Sequence, residues 1–116
     1  MKLLSWNIRG LNGPGKGRLL KNLIMQEKPQ IIFLQETKCN SSALERIATK
    51  AWPGCLSVAV DADGASGGLE IIWDACTIRL RNFHAARNFI LAIFHITGTN
   101  IHGILTNEYF PQEAGH

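Results

Sequence analysis

The apolar residues of this chain keep two different periods, and the changeover at Pro53-Gly54 limits the possible folds more than any other feature. Before it, strand-like and helix-like stretches alternate. KLLSWNI, Lys2 to Ile8, alternates closely enough for a strand, and RGLNGPGKG then stops it with Gly10, Gly13, Pro14, Gly15 and Gly17. From Arg18 to Lys28, Leu19, Leu20, Leu23 and Ile24 recur at helical spacing while Lys21, Asn22 and Gln26 turn away. Pro29 ends that helix. QIIFLQE follows as a strand whose continuous apolar run predicts cover on both faces. Ser42-Ala43-Leu44-Glu45 has the capping-box pattern, in which serine and glutamate each satisfy a free N–H at a helix start. The helix it opens puts Leu44, Ile47, Ala48, Ala51 and Trp52 on one side.

After Pro53-Gly54 every apolar run is strand-length: CLSVAVDA, GGLEIIWD, CTIRLRNFH, NFILAIFHI and NIHGILTNEYF. Strand, helix, strand, helix and then strands paired as hairpins predict an α/β fold, a mixed β-sheet with two helices on one face. The 116 residues suit one core and show no linker or repeat, so residues 1–116 read as a single domain. No apolar run approaches membrane-spanning length, and Asn7 and Arg9 interrupt the first one too early for a secretory signal. Cys39, Cys55 and Cys76 are odd in number and lack metal-ligand spacing, which predicts reduced thiols in an intracellular protein. The net charge of +3 is compatible with a polyanionic partner.

Several motifs are weaker than they look. GPGKGR, Gly13 to Arg18, sits between a strand and a helix, but Arg18 stands where the dinucleotide fingerprint wants glycine. Gly17 stands where a phosphate loop wants Ser or Thr, so a flexible turn is the better reading. His84, His95, His102 and His116 form no helical ligand pair, and His95 reads as a hydrogen-bonded core residue. Three strands that read as core nevertheless end in polar groups: Ser5-Trp6-Asn7, Gln35-Glu36-Thr37-Lys38 and Thr106-Asn107-Glu108-Tyr109. The first two strands flank a helix, and a right-handed parallel βαβ unit brings Asn7 and Glu36 out at one C-terminal sheet edge. That is the edge where α/β proteins usually bind ligands.

SWNIRGLN, KPQIIFLQETK, SGGLEIIW and ILTNEYFP resemble, in order and spacing, the endonuclease/exonuclease/phosphatase superfamily. Within it the resemblance is to the endonuclease domain of plant LINE-type (non-LTR) retrotransposons, and it covers the amino-terminal half of that domain. It implies half of a four-layer, DNase I-like α/β sandwich, with two stacked sheets and a site at their top edge. It also implies that Glu36 is a catalytic carboxylate and ligand for Mg²⁺ or Mn²⁺, an ion that keeps waters and phosphate oxygens as its other ligands. Asn7 would polarise or position groups around the scissile phosphate. Tyr109 would donate its hydroxyl to a phosphate oxygen, with Asn107 supporting it from the same strand face. Arg9 and Lys38 are candidate contacts to backbone phosphate. DNA is the implied partner, and the nucleus the implied location of a retroelement product.

The departures from the family matter as much. Arg9 stands where many relatives carry an acid, Glu108 where an aliphatic residue is usual, and Glu70 where a small or apolar one is usual. Glu108 should face away from Tyr109 toward the helices, an expensive place for an unpaired charge. The family's D-x-N and S-D-H motifs are absent, and His116 lacks the preceding serine and aspartate. The expectation is a truncated, weak or inactive phosphodiesterase-like domain. A bare sheet face, left by the absent half, predicts self-association or a partner chain across it. The alternatives are a non-catalytic nucleic-acid-binding or interaction module, and a small-molecule phosphoesterase of the same superfamily.

Overall fold

The computed structural model describes residues 1–63 and 66–109. The chain runs β1 (Leu3–Asn7), α1 (Lys16–Glu27), β2 (Ile31–Gln35), α2 (Ser41–Ala51), β3 (Cys55–Val60), β4 (Leu69–Asp74), β5 (Ile78–Ala86), β6 (Phe89–Ile96) and β7 (His102–Glu108). The elements expected from periodicity are all present, in order and in type.

One sheet has the order β1-β2-β4-β3. Its β1–β2 pair is parallel with Asn7 opposite Gln35, α1 being the crossover, and β4 runs antiparallel to β2 and β3. Both helices cover one face, where Leu20, Leu44 and Ala48 pack on Ile8, Ile32, Leu34 and Ile72. The later strands do not extend this sheet. They form a second, antiparallel one, β5-β6-β7, lying on the opposite face with Ile78, Leu80, Ile90 and Ala92 against Ile31, Phe33, Ile71 and Trp73. Hairpin periodicity alone suggested one mixed sheet. The second layer exists because Ile31–Gln35 and Leu69–Trp73 are buried without alternation, so both their faces need cover. The result is a helical layer and two stacked sheets, part of the DNase I-like sandwich.

The stacked sheet also narrows the expected bare face. β6 lies over β4, and β7 over β2 and β4. What stays open is the same side of β1, where Leu3 is 37% exposed and Ser5 and Asn7 are exposed, and the outward side of β7, where Ile104 is 66% exposed.

Three local expectations change. The cap of α2 is Asn40, whose Oδ1 accepts from Ala43 N at 2.9 Å, while Asp61 Oδ1 takes the Ser41 N–H at 2.6 Å. Asparagine caps as well as serine, and a carboxylate at the positive helix end adds to it, so the helix starts two residues early. Glu108 points outward beside Phe89 and is exposed, so the buried acid is Glu70 instead, 0% exposed with neither carboxyl oxygen partnered. His95 is hydrogen-bonded as expected, to Thr99 O at 2.6 Å, but sits half-buried near the end of β6 and not in the core.

Candidate active site

Parallel register makes β1 and β2 end together, so Asn7 and Gln35 leave the sheet at one edge. Beyond it the two chains stay zipped: Ile8 N donates to Gln35 O at 3.0 Å, Gly10 N to Glu36 O at 2.8 Å and Leu11 N to Thr37 O at 2.9 Å. From the other side, Thr37 N and Lys38 N donate to the carbonyls of Gly68 and Gly67 at 3.2 and 2.9 Å. Gly68 has φ +94°, and a Cβ there would collide with Thr37 Oγ1, so this approach requires glycine. Held from both sides, Arg9, Glu36 and Lys38 all adopt left-handed backbone, φ 53°, 52° and 56°. Non-glycine residues pay about 1–3 kcal/mol each for sparsely populated backbone, which persists only where surrounding bonds over-determine it. No residue-type signal reveals this, because Arg, Glu and Lys do not favour positive φ.

Tyr109 approaches from the second sheet. It follows β7, is fixed by its N–H to Asn88 O at 2.9 Å, and its hydroxyl donates to Glu36 Oε1 at 2.6 Å across 73 residues of chain. That bond is the main reason the Glu36 carboxyl lies below its usual range. Partial burial opposes it, while the Asn7 amide and the Lys38 and Arg9 charges add to it. The same bond pushes the Tyr109 phenol up. The pair is therefore an ionised carboxylate and a protonated phenol at neutral pH, with Asn7, Arg9 and Lys38 around them.

Asn107 does not join this cluster. It is fully buried, its Nδ2 donates to Leu34 O at 3.2 Å and Glu70 O at 3.0 Å, and its Oδ1 accepts from Gln35 Nε2 at 2.8 Å. A side chain so occupied has no free group to offer a substrate, and it acts as a bolt between the sheets. Gln35, unassigned by the motif reading, is the other half of the bolt and also donates to Ser5 Oγ at 2.9 Å. A cavity of about 500 Å³ opens beside Glu36, Lys38 and Tyr109 and adds Asp61, Asp63 and Arg87, which sequence spacing did not single out. Arg87 and Asp63 pair at 2.6 Å in the open. Asp61 is the carboxylate that caps α2, and only the fold brings it near the rim.

Among the described residues no group of three or more His, Cys, Asp or Glu side chains gathers to hold a metal. The rim is chemically suited to a hard cation nevertheless. Glu36 is held ionised with one carboxylate oxygen taken by Tyr109, and the Asn7 amide stands beside it. Oxygen donors in small number match Mg²⁺, which retains most of its waters, and do not match zinc.

The Endonuclease/Exonuclease/phosphatase family matches residues 4–108, so the chain belongs to that family. Solved structures share its fold. The AP endonuclease LMAP from Leishmania major superposes with a TM-score of 0.67 at 22% identity, covering 90% of this chain and 38% of its own. The 3′ phosphatase NExo from Neisseria, solved with a product DNA hairpin, gives 0.62 at 22%, covering 90% and 40%. A mannosyl-6-phosphatase from Bacteroides thetaiotaomicron gives 0.65 at 15%, covering 90% and 49%. The chain thus spans less than half the length of each of these structures. No curated protein matches it. Among the described residues no helix is long and apolar enough to cross a membrane.

Proposed function

We propose that the chain carries the amino-terminal part of a metal-dependent DNA phosphodiesterase site, of the kind used by LINE-type retrotransposon endonucleases in the nucleus. The observation that carries this reading is the meeting of Tyr109 with Glu36 at the edge where Asn7 also emerges. A Mg²⁺ ion held by Glu36, with Asn7 beside it, would neutralise charge building on the phosphoryl oxygens and the leaving group. Tyr109 fixes the orientation of the Glu36 carboxylate and keeps it ionised. Asn7 offers an amide that can donate to a phosphate oxygen. Arg9 and Lys38 are placed for backbone phosphates, which position a strand without reading its sequence. Asn107 is a positioning residue, holding β7 so that Tyr109 reaches the rim.

These 116 residues supply no D-x-N aspartate to activate water and no S-D-H histidine. General acid–base catalysis contributes about 10²–10⁴-fold, so this polypeptide alone is a weak or inactive nuclease. A plasmid-nicking assay in Mg²⁺ with wild type and Glu36→Ala tests the assignment. Any nicking should be slow and absent from the variant. Equal nicking by the two proteins would remove Glu36 from the mechanism. The uncovered side of β1 and the outward Ile104 support a second element of this reading, a companion chain or second copy seated across them.

A further inference from the structure

The glycine-rich loop between β1 and α1 is not explained by the rim chemistry. Lys16, which would contact phosphates in a nucleotide loop, instead turns inward and donates from Nζ to Ile8 O at 2.8 Å. The loop forms one wall of an open cleft of about 520 Å³ between α1 and α2. Gly17 faces Ile47 of α2 across it. Three cations line the cleft, Arg18 and Lys21 from one face of α1 and Lys50 from the last turn of α2. Among the described residues no acid lines it, and none of the three makes an ion pair with any of them.

A second observation is independent of those side chains. The start of α1 lies at the cleft with no side-chain cap and no acid in its first turn, and no described acceptor takes the N–H of Gly17 or Arg18. The contrast is α2, whose N-terminus is closed by Asn40 and Asp61. Free helix N–H groups and unpaired cations around one opening suit a phosphate oxygen. The cleft also continues the rim. Leu11, in its wall, is bonded to Thr37 O, and Gly10 to Glu36 O, so the loop leads directly from Arg9 and Lys38 to Arg18.

We infer that the cleft between α1 and α2 is a second phosphate-binding site, which holds the backbone of a nucleic-acid strand passing from the Glu36 rim over the Gly13–Gly17 loop. The cleft does not depend on catalysis, so a protein that fails to nick DNA still tests it. An open cleft with cations from two helices favours a polymer over a free anion, because a strand engages the three charges in series.

The experiment is fluorescence anisotropy of a labelled DNA duplex across a salt series, with three proteins: wild type, R18A/K21A/K50A, and the charge-matched R79A/R81A/K28A. The matched cations lie on the outer side of β5 and at the end of α1, away from the cleft. Each phosphate contact contributes about −0.9 to the slope of log K against log salt, so the cleft variant should lose about 2 to 3 from that slope. Its affinity at low salt should fall at least tenfold by the same principle, while the matched variant stays near wild type. Equal losses in both variants, an unchanged slope in the cleft variant, or no binding by wild type at low salt would overturn the inference. So would displacement of DNA by inorganic pyrophosphate at equal phosphate concentration, which would mark a small-anion site.

Discussion

At the scale of single residues, two glutamates in similar strand contexts end in opposite states. Glu36 is held ionised by its Tyr109 bond, and the stability it lends is present above the ordinary carboxyl value of 4.5 and lost as pH falls below it. Tyr109→Phe removes the largest cause of that lowering, so the Glu36 carboxyl should titrate at higher pH in a carbon-13 NMR titration. An unmoved titration would mean that the phenol does not hold the acid. Glu70 behaves in reverse. Burial, with Glu45 as a lesser cause, pushes it up to about 8, so the folded protein keeps a proton that the unfolded chain releases. The folded state binds more protons between about 4.5 and 8, and stability therefore falls as pH rises through that window. At about 1.4 kcal/mol per pH unit the loss is on the order of 5 kcal/mol, a large part of the 5–15 kcal/mol typical of a domain. Glu70→Gln should raise the melting temperature at pH 8 by several degrees and change it little at pH 5. A variant with the same pH dependence as wild type would place the titrating group elsewhere. Glycine at position 68 is equally committed: Gly68→Ala should cost more than about 1 kcal/mol in urea unfolding, since its φ and its contact with Thr37 both exclude a side chain.

At the scale of elements, strand and helix order was legible because each run keeps its own period over many residues. The shared edge of Asn7 and Glu36 was legible from the parallel βαβ order, whereas Tyr109 was expected beside them only through the family resemblance. What period 2 does not encode is which strands share a sheet, so two stacked sheets were implied by the resemblance alone and the place of the split, after β4, came with the fold. Side-chain direction at strand ends was equally hidden, which is why the charge at Glu108 proved solvated and Asn107 proved internal. The Asn107 bolt has an energetic consequence. Asn107→Ala removes three buried hydrogen bonds, to the Leu34 and Glu70 carbonyls and from the Gln35 amide, each of which contributes about 0.5–1.5 kcal/mol. Urea unfolding should show a loss of at least about 2 kcal/mol by that principle, and Tyr109 fluorescence should report a looser rim. A loss below about 0.5 kcal/mol would mean that the sheets hold together without it.

At the scale of the whole molecule, two stacked sheets and one helical layer form two continuous cores, yet β1 stays uncovered on one side and Ile104 faces outward. We propose that a second copy of the chain covers these groups. Size-exclusion chromatography at rising concentration should show dimers or larger species, and Ile104→Lys should shift the balance to monomer. A monomer at all concentrations that binds no hydrophobic dye would contradict this.

The site itself is a claim about convergence, and the most direct test is to see where a divalent ion settles. Titrating Mn²⁺ into isotopically labelled protein should broaden the NMR signals of Asn7, Glu36 and Tyr109 first, and Glu36→Ala should abolish that selectivity. Broadening centred on other residues, or unchanged by the substitution, would show that the rim does not hold the metal.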